Sequence, residues 1–181
     1  MTQAATVRGP MKTTQEGSIS TLPPSQAGER LRNPDLAFWK PYQGKGAALI
    51  FEYSPQKNTF FMQMLPEKPE NTEDSKKYDK DRRISAKLGL SDLGEILAVI
   101  KGRKGGAGTE AEGKFKGLYH KNQNGNTIIG FDRTDKGIRT GLSVKSDKIE
   151  LRLNVNLSVG EATLLENFIE TYLPYMFVSE N

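Results

Sequence analysis

Twice in this chain a run of alternating apolar residues passes through Leu-Ser straight into an amphipathic helix. The first passage is LGLSDLGEILAVI, with its joint at Leu90-Ser91; the second is VNLSVGEATLLENFI, with its joint at Leu157-Ser158. A two-residue period puts alternate side chains on one face of a strand, and a 3.6-residue period puts i, i+3, i+4 and i+7 on one face of a helix. In the first passage Ile84, Ala86, Leu88 and Leu90 alternate with Ser85 and Lys87, and Leu93, Ile96, Leu97 and Ile100 then keep helical spacing. In the second, Ile149, Leu151, Leu153 and Val155 alternate with Lys148, Glu150, Arg152, Asn154 and Asn156; the helix behind them buries Leu165, Phe168, Ile169 and Tyr172. Matching joints at matching places in two halves constrain the chain to a repeat. Each unit reads as four β-strands and a helix, so the fold class is α+β, two ββββα repeats.

The remaining runs fill in the plan. GAALIFEY predicts a strand with Ala47, Leu49, Phe51 and Tyr53 on one face, Ser54 to Asn58 is turn chemistry, and TFFMQML is a second strand stopped by Pro66. Residues 66–82 carry almost no apolar side chain and read as a long solvated loop. Only three strands are clear in this half, so the fourth is expected within 66–82 or is short. A helix follows over Ser91 to Lys101 with Ser91 as its N-cap. GRKGGAG ends it as a flexible joint. In the second half KFKGLYH, NTIIGFD, IRTGLSV and KIELRLNVNL are the four strands, separated by turns at Lys121 to Gly125, Arg133 to Gly137 and Ser146-Asp147. Ser158 and Glu161 form a capping box for a helix running to about Tyr172, with Pro174 just beyond. The expected organisation is a disordered or extended tail over 1–35, one domain over 36–177 and a short tail over 178–181. Within the domain, repeat one covers about 39–101, a linker 102–110 and repeat two about 113–173. The first 35 residues are rich in Thr, Ser, Gln, Gly and Pro and have no apolar period with which to offset the entropy of ordering.

Composition narrows the function. No stretch approaches the ~20 apolar residues that span a bilayer, so no membrane partner is expected. The 181 residues include no cysteine and one histidine, His120. That removes disulfides, thiolate zinc sites and iron–sulfur clusters and leaves the compartment open. It also leaves little for a catalytic triad or a His-based metal site. No carboxylate pair, nucleophile–base pair or metal cluster emerges from the spacing, so no enzyme, no metal and no cofactor is expected. Twenty-six Lys and Arg against 22 Asp and Glu give a net charge of +4, a sign that favours a polyanionic partner.

Two short motifs carry a resemblance. Tyr42-Gln43-Gly44-Lys45-Gly46-Ala47-Ala48-Leu49 resembles the lysine-glycine-lysine-alanine-alanine-leucine signature that opens the first strand of Whirly proteins, with Lys45 at a signature lysine. Leu173-Pro174-Tyr175-Met176 resembles the segment that closes their second helix. The resemblance covers about residues 39–177. It implies two antiparallel sheets packed crosswise with helices between them, assembly into homotetramers, and binding of single-stranded DNA across sheet edges with little sequence preference. The wider superfamily, which takes in PC4-like coactivator domains and guide-RNA-binding proteins, implies nucleic acid as the shared partner, DNA or RNA.

Holding a single strand needs cations along its backbone and flat rings for its bases. Lys114, Lys116, Tyr119 and Lys121 interleave charge and ring in the second half with Phe115; Phe131, Arg133, Lys136 and Arg139 follow on the next strands. The first half offers Trp39, Lys40, Tyr42, Lys45, Phe51, Tyr53, Phe60, Phe61 and Lys87. Sheet packing alone also favours strand aromatics, and edge lysines also guard against edge-to-edge pairing. Core packing therefore competes with base stacking at Phe51, Phe60, Phe61 and Phe131, whereas the tyrosine hydroxyls favour a wet edge. GRKGGAG lacks the Gly-Lys-Ser/Thr of a phosphate loop and reads as a linker; the mixed charges from Glu67 to Arg83 read as solvated, and His120 as exposed. The expected function is a non-catalytic single-stranded DNA-binding protein that protects or organises unpaired DNA in replication, recombination, repair or transcription. The alternatives are an RNA-binding protein of the same fold, or an oligomeric interaction protein indifferent to nucleic acid.

Overall fold

The computed structural model describes residues 33–68, 77–122, 125–146 and 150–177. The expected tail over 1–35 lies almost wholly outside the described residues, as do Asp147, Lys148 and Ile149. Strands β1 (Asp35–Lys40), β2 (Ala47–Ser54), β3 (Thr59–Pro66) and β4 (Ile84–Leu88) form an antiparallel meander, and helix α1 (Leu90–Ile100) follows. A two-stranded ribbon of β5 (Glu110–Ala111) and β6 (Lys114–Phe115) leads to the second meander: β7 (Leu118–Asn122), β8 (Gly125–Thr134), β9 (Gly137–Lys145) and β10 (Glu150–Leu157). Helix α2 (Val159–Tyr172) closes the second repeat and runs into a 3-10 turn over Leu173–Phe177. This is the α+β architecture of two ββββα units that the sequence predicts.

Register fixes the faces. Leu36, Phe51, Met62 and Ala86 lie abreast across the first sheet, and Phe38, Leu49, Met64 and Ile84 form the next row. These rows meet Leu118, Ile129, Phe131, Ile138, Leu142 and Val155 of the second sheet in one core with both helices. Phe51 and Phe131 touch edge-on across it, ring centroids 6.3 Å apart. α1 buries Leu93, Ile96, Val99 and Ile100, and α2 buries Ala162, Leu165 and Ile169; Phe168 and Tyr172 pack half-buried beside them.

Five expectations are corrected. The fourth strand of the first half is β1, in DLAFWK ahead of GAALIFEY, where Pro34 and Pro41 bracket a six-residue run. The ends of the 66–82 segment are a ladder: Lys68 N–H donates to the Lys77 carbonyl at 2.8 Å and Asp79 N–H to that of Pro66 at 2.9 Å. KFKGLYH is two strands, because Gly117 at φ 78° turns the chain between them. The Gly-rich linker is pinned to the stretch of β8 that extends past its pairing with β7: Ala107 N–H donates to Phe131 O at 2.8 Å and Arg133 N–H to Gly105 O at 2.7 Å. Finally, Gly89 caps α1. The Asp92 carboxylate takes the Gly89 N–H at 2.8 Å, the helix starts at Leu90, and Ser91 lies inside its first turn. At α2 the capping box is as read, with Ser158 Oγ accepting from Glu161 N–H at 3.3 Å and the Glu161 carboxylate accepting from Ser158 N–H at 2.8 Å.

Candidate nucleic-acid interface

A strand has two faces, and burial of one leaves the other to solvent. On the second sheet the outer face carries three polar rows. Lys121, Asn126, Lys145 and Glu150 lie abreast, then Tyr119, Ile128, Ser143 and Arg152, and further along the strands Asp132, Arg139 and Asn156. Tyr119 is 60% exposed and Ile128 beside it 40%. Arg139 donates to Asp132 at 2.8 Å, and Lys145 stands 3.7 Å from Glu150. Among the described residues Lys116, Lys121 and Arg152 carry no ion pair and are exposed. Three cations near the helices are spoken for: Lys40 by Glu161, Lys101 by Glu166 and Glu170, and Lys104 by Glu95. Between the last two rows lies a groove of about 220 Å³, where Gly130 and Gly141 face each other across β8 and β9.

The first sheet presents a second set. Trp39 is 55% exposed and packs at 5.0 Å against Tyr78; it lies in register with Ala48 and Leu65, both buried. Phe61 is half-buried under the Lys57 ammonium, 5.4 Å from its ring centre, with exposed Lys87 as its cross-strand neighbour. Tyr42, 68% exposed, and Lys45 stand on the 41–46 loop. That loop wraps the buried Glu67 carboxylate. Oε2 accepts from the backbone N–H of Tyr42 at 2.7 Å, Gly46 at 2.9 Å and Gly44 at 3.0 Å, and Lys77 stands 3.8 Å from Oε1. Gly44 at φ 75° makes the turn that brings these donors to one point. The Tyr42 N–H first, then those of Gly46 and Gly44 and the charge of Lys77, hold the Glu67 carboxyl below its ordinary value against the opposing effect of burial. Burial, and then the Glu67 charge, push the Tyr78 hydroxyl up.

The residues singled out in the sequence therefore divide. Lys116, Tyr119, Lys121 and Arg139 come together around the outer face of the second sheet, and Lys114 stands exposed on the ribbon leading to it. Trp39, Phe61 and Lys87 belong to the first sheet, and Tyr42 and Lys45 to the 41–46 loop that joins β1 to β2. Phe51 and Phe131, with no surface exposed, and Tyr53, stacked at 5.3 Å on Tyr172, are core residues, and no ring so enclosed offers a face to a base from solution. Phe60 joins them. Arg133 reaches the end of α1, where its guanidinium donates to Ile100 O at 3.0 Å, a carbonyl the helix leaves open, and to Val99 O at 3.4 Å, which also accepts from Gly102 N–H. His120 is half-buried with Nε2 3.1 Å from Asp92 Oδ1, and so ties β7 to α1. Arg152, Ser143, Asn154 and Glu67 were missed. Arg152 and Asn154 point outward in the cleanest alternation of the chain, which was the available signal; Glu67 had none, because a carboxylate among lysines reads as solvent-facing.

Among the described residues no group of three or more His, Cys, Asp or Glu side chains is placed to hold a metal, and no helix is long and apolar enough to cross a membrane. No protein-family model matches the chain, and no curated protein matches it. Solved structures do. A guide-RNA-binding protein complex bound to a guide RNA aligns over 83% of this chain and 96% of its own, at 16% identity and a TM-score of 0.60. The plant transcriptional regulator PBF-2 aligns over 79% and 89%, at 16% identity and a TM-score of 0.59. WHY1 from Arabidopsis thaliana aligns over 80% and 85%, at 13% identity and a TM-score of 0.59. At these identities the likeness is one of fold.

Proposed function

We propose that this chain, whose fold is that of the Whirly proteins, binds single-stranded nucleic acid, DNA by preference, and does no chemistry on it. The observation that carries the reading is the outer face of the second sheet. Lys116, Lys121 and Arg152 stand there without ion pairs among the described residues, around an exposed Tyr119 ring. An unpaired cation loses no internal partner when a phosphate arrives, and an open ring offers stacking to any base, so such a face takes a single strand with little sequence preference. A duplex offers phosphates but no free base faces, so it gains only the electrostatic part. A structural neighbour that carries a guide RNA supports nucleic acid as the class of ligand.

Assembly into tetramers belongs to the same proposal. Val159 and Leu164 of α2 and Tyr175 and Phe177 of the turn behind it are exposed apolar side chains. Several faces brought together in this way hold a longer stretch of strand, which suits a protein that protects or organises unpaired DNA in replication, recombination, repair or transcription.

The test is fluorescence anisotropy with labelled oligo-dT at two salt concentrations, with duplex of the same length and oligo-U as competitors. Micromolar or tighter binding that weakens steeply with salt, with oligo-dT preferred over both competitors, is the expected result. Stronger competition by oligo-U assigns the face to RNA, and equal retention of duplex and single strand overturns the reading.

A further inference from the structure

Strand interiors seldom hold glycine, which has no side chain to pack and weakens the strand; where it occurs, something else approaches the backbone closely. The outer face of the second sheet has a whole row of this kind. Gly130 of β8 faces Gly141 of β9 in register, Asn154 of β10 continues the row, and Gly117 lies at its other end on the approach to β7. The result is a trough whose floor is bare peptide at Gly130, while the Asn154 carboxamide leans over Gly141 and the Ile128 side chain over Gly117. One wall is the row of Ile128, Ser143 and Arg152; Asp132 stands on the other side, and Lys116 at the end. Neighbouring residues of one face are about 6.8 Å apart along a strand and strands about 4.8 Å apart, so the missing side chain at Gly130 opens a slot between Ile128 and Asp132 into which the edge of a flat ring fits.

We propose that this trough is a nucleobase subsite: one unpaired base lies flat on the peptide at Gly130 with its edge toward Ser143, Asn154 and Asp132. The inference rests on the nucleic-acid reading above and names what that reading leaves open, where a base goes. Charge complementarity fits the occupant. Lys116 and Arg152, both without ion pairs among the described residues, flank the floor where the phosphates on either side of a seated base pass. Hydroxyl, carboxamide and carboxylate groups along the walls supply donors and acceptors for a base edge. The two glycines differ in a way that makes the idea testable. A Cβ on Gly141 would come within 2.4 Å of both Leu153 O and Asn154 Oδ1, so its absence is required by the fold. A Cβ on Gly130 would meet only Gly141 O, at 3.9 Å, so the fold leaves room there and the bare floor is free to serve a ligand.

The experiment crosses two proteins with two ligands: wild type and Gly130→Val against oligo-dT and an abasic deoxyribose-phosphate oligomer of equal length, by anisotropy at low salt. Valine favours strands, so Gly130→Val is expected to keep or raise the thermal midpoint, which a melt verifies. Wild type is expected to bind the abasic oligomer more weakly than oligo-dT. Gly130→Val should bind oligo-dT about tenfold more weakly than wild type, the effect of one lost stacked base, and bind the abasic oligomer equally well. A folded Gly130→Val with wild-type affinity for oligo-dT overturns the subsite. An equal loss on both ligands also overturns it, because the groove would then hold sugar or phosphate. Failure of wild type to bind either ligand sinks the nucleic-acid reading itself, and the subsite with it.

Discussion

Glu67 organises a loop that lies 21 to 25 residues before it in the chain. One carboxylate oxygen gathers three backbone N–H groups of the 41–46 loop, and that loop carries exposed Tyr42 and Lys45. Charge-assisted contacts of this kind are about twice as strong as neutral ones. Glu67→Gln keeps the shape and removes the charge, so we expect a lower thermal midpoint at neutral pH. The pH dependence has a definite sign. A carboxyl held below its ordinary value of 4.5 in the folded state stabilises fully above that value, and its contribution is lost as pH falls through the depressed one. Wild type should therefore melt progressively earlier below about pH 4.5, and Glu67→Gln should show a smaller drop over the same range; a drop of equal size in both proteins would clear Glu67 of this role. Rings divide as sharply as charges. Phe131→Ala empties a fully buried site and should cost about 3–5 kcal/mol of stability. Tyr119→Ala should leave stability within about 0.5 kcal/mol and cost about 1–3 kcal/mol of oligonucleotide binding. Chemical denaturation and anisotropy on the same two variants separate these roles. The sequence could not make that division, because doublets such as Phe60-Phe61 and Ile128-Ile129 put one apolar residue on each face and leave the parity of the strand undecided.

At the level of elements, the repeat is in the sequence but its register is not the one the Leu-Ser pairs suggest. Gly89 and Ser158 are the structural equivalents, each the N-cap, each with an acidic side chain three residues on that reaches back to its N–H. With these aligned, Leu88 matches Leu157, Ile96 matches Leu165 and Ile100 matches Ile169, all buried pairs. The Leu-Ser alignment would instead set Leu90, 40% exposed, against the buried Leu157. Glycine hid the first cap, because it offers no side-chain acceptor and reads as a break. The corrected register predicts different costs for two similar changes. Ser158→Ala removes a capping acceptor and should destabilise by about 1 kcal/mol, while Ser91→Ala removes none and should stay within about 0.5 kcal/mol. Urea denaturation of the two variants decides between the alignments. β1 was missed for a related reason. Six residues between two prolines at the end of a polar tail give too short a window for a period of two to stand out, and its partner β2 supplies the pairing that makes it a strand.

For the molecule as a whole, the net charge of +4 says less than the way carboxylates distribute themselves among the cations. Lys40, Lys101 and Lys104 are neutralised by glutamates and hold α2 to β1, α1 to α2 and α1 to the segment behind it. Lys116, Lys121 and Arg152 gather around one sheet face with no such partner among the described residues. This partition was legible only in part, since outward alternation identified Arg152 as solvent-facing but pairing depends on distances the sequence does not carry. It makes a quantitative prediction for binding. Each phosphate neutralised on a single strand contributes about 0.7 to the slope of log affinity against log salt. Replacing Lys116, Lys121 and Arg152 together by glutamine should therefore flatten the slope by up to about 2 and weaken binding alike for every base composition. Lys101→Gln should do the opposite. It breaks contacts to Glu166 and Glu170 between the end of α1 and α2, so it should lower the thermal midpoint and leave the salt slope unchanged. The Lys101 ammonium is raised above its ordinary value, chiefly by its hydrogen bond to Glu170, so it stays charged and paired through the neutral range where binding is measured. A triple variant with the wild-type slope would move the strand off this face, and the first sheet, with Lys45 and Lys87 beside Tyr42 and Phe61, would be the next surface to titrate.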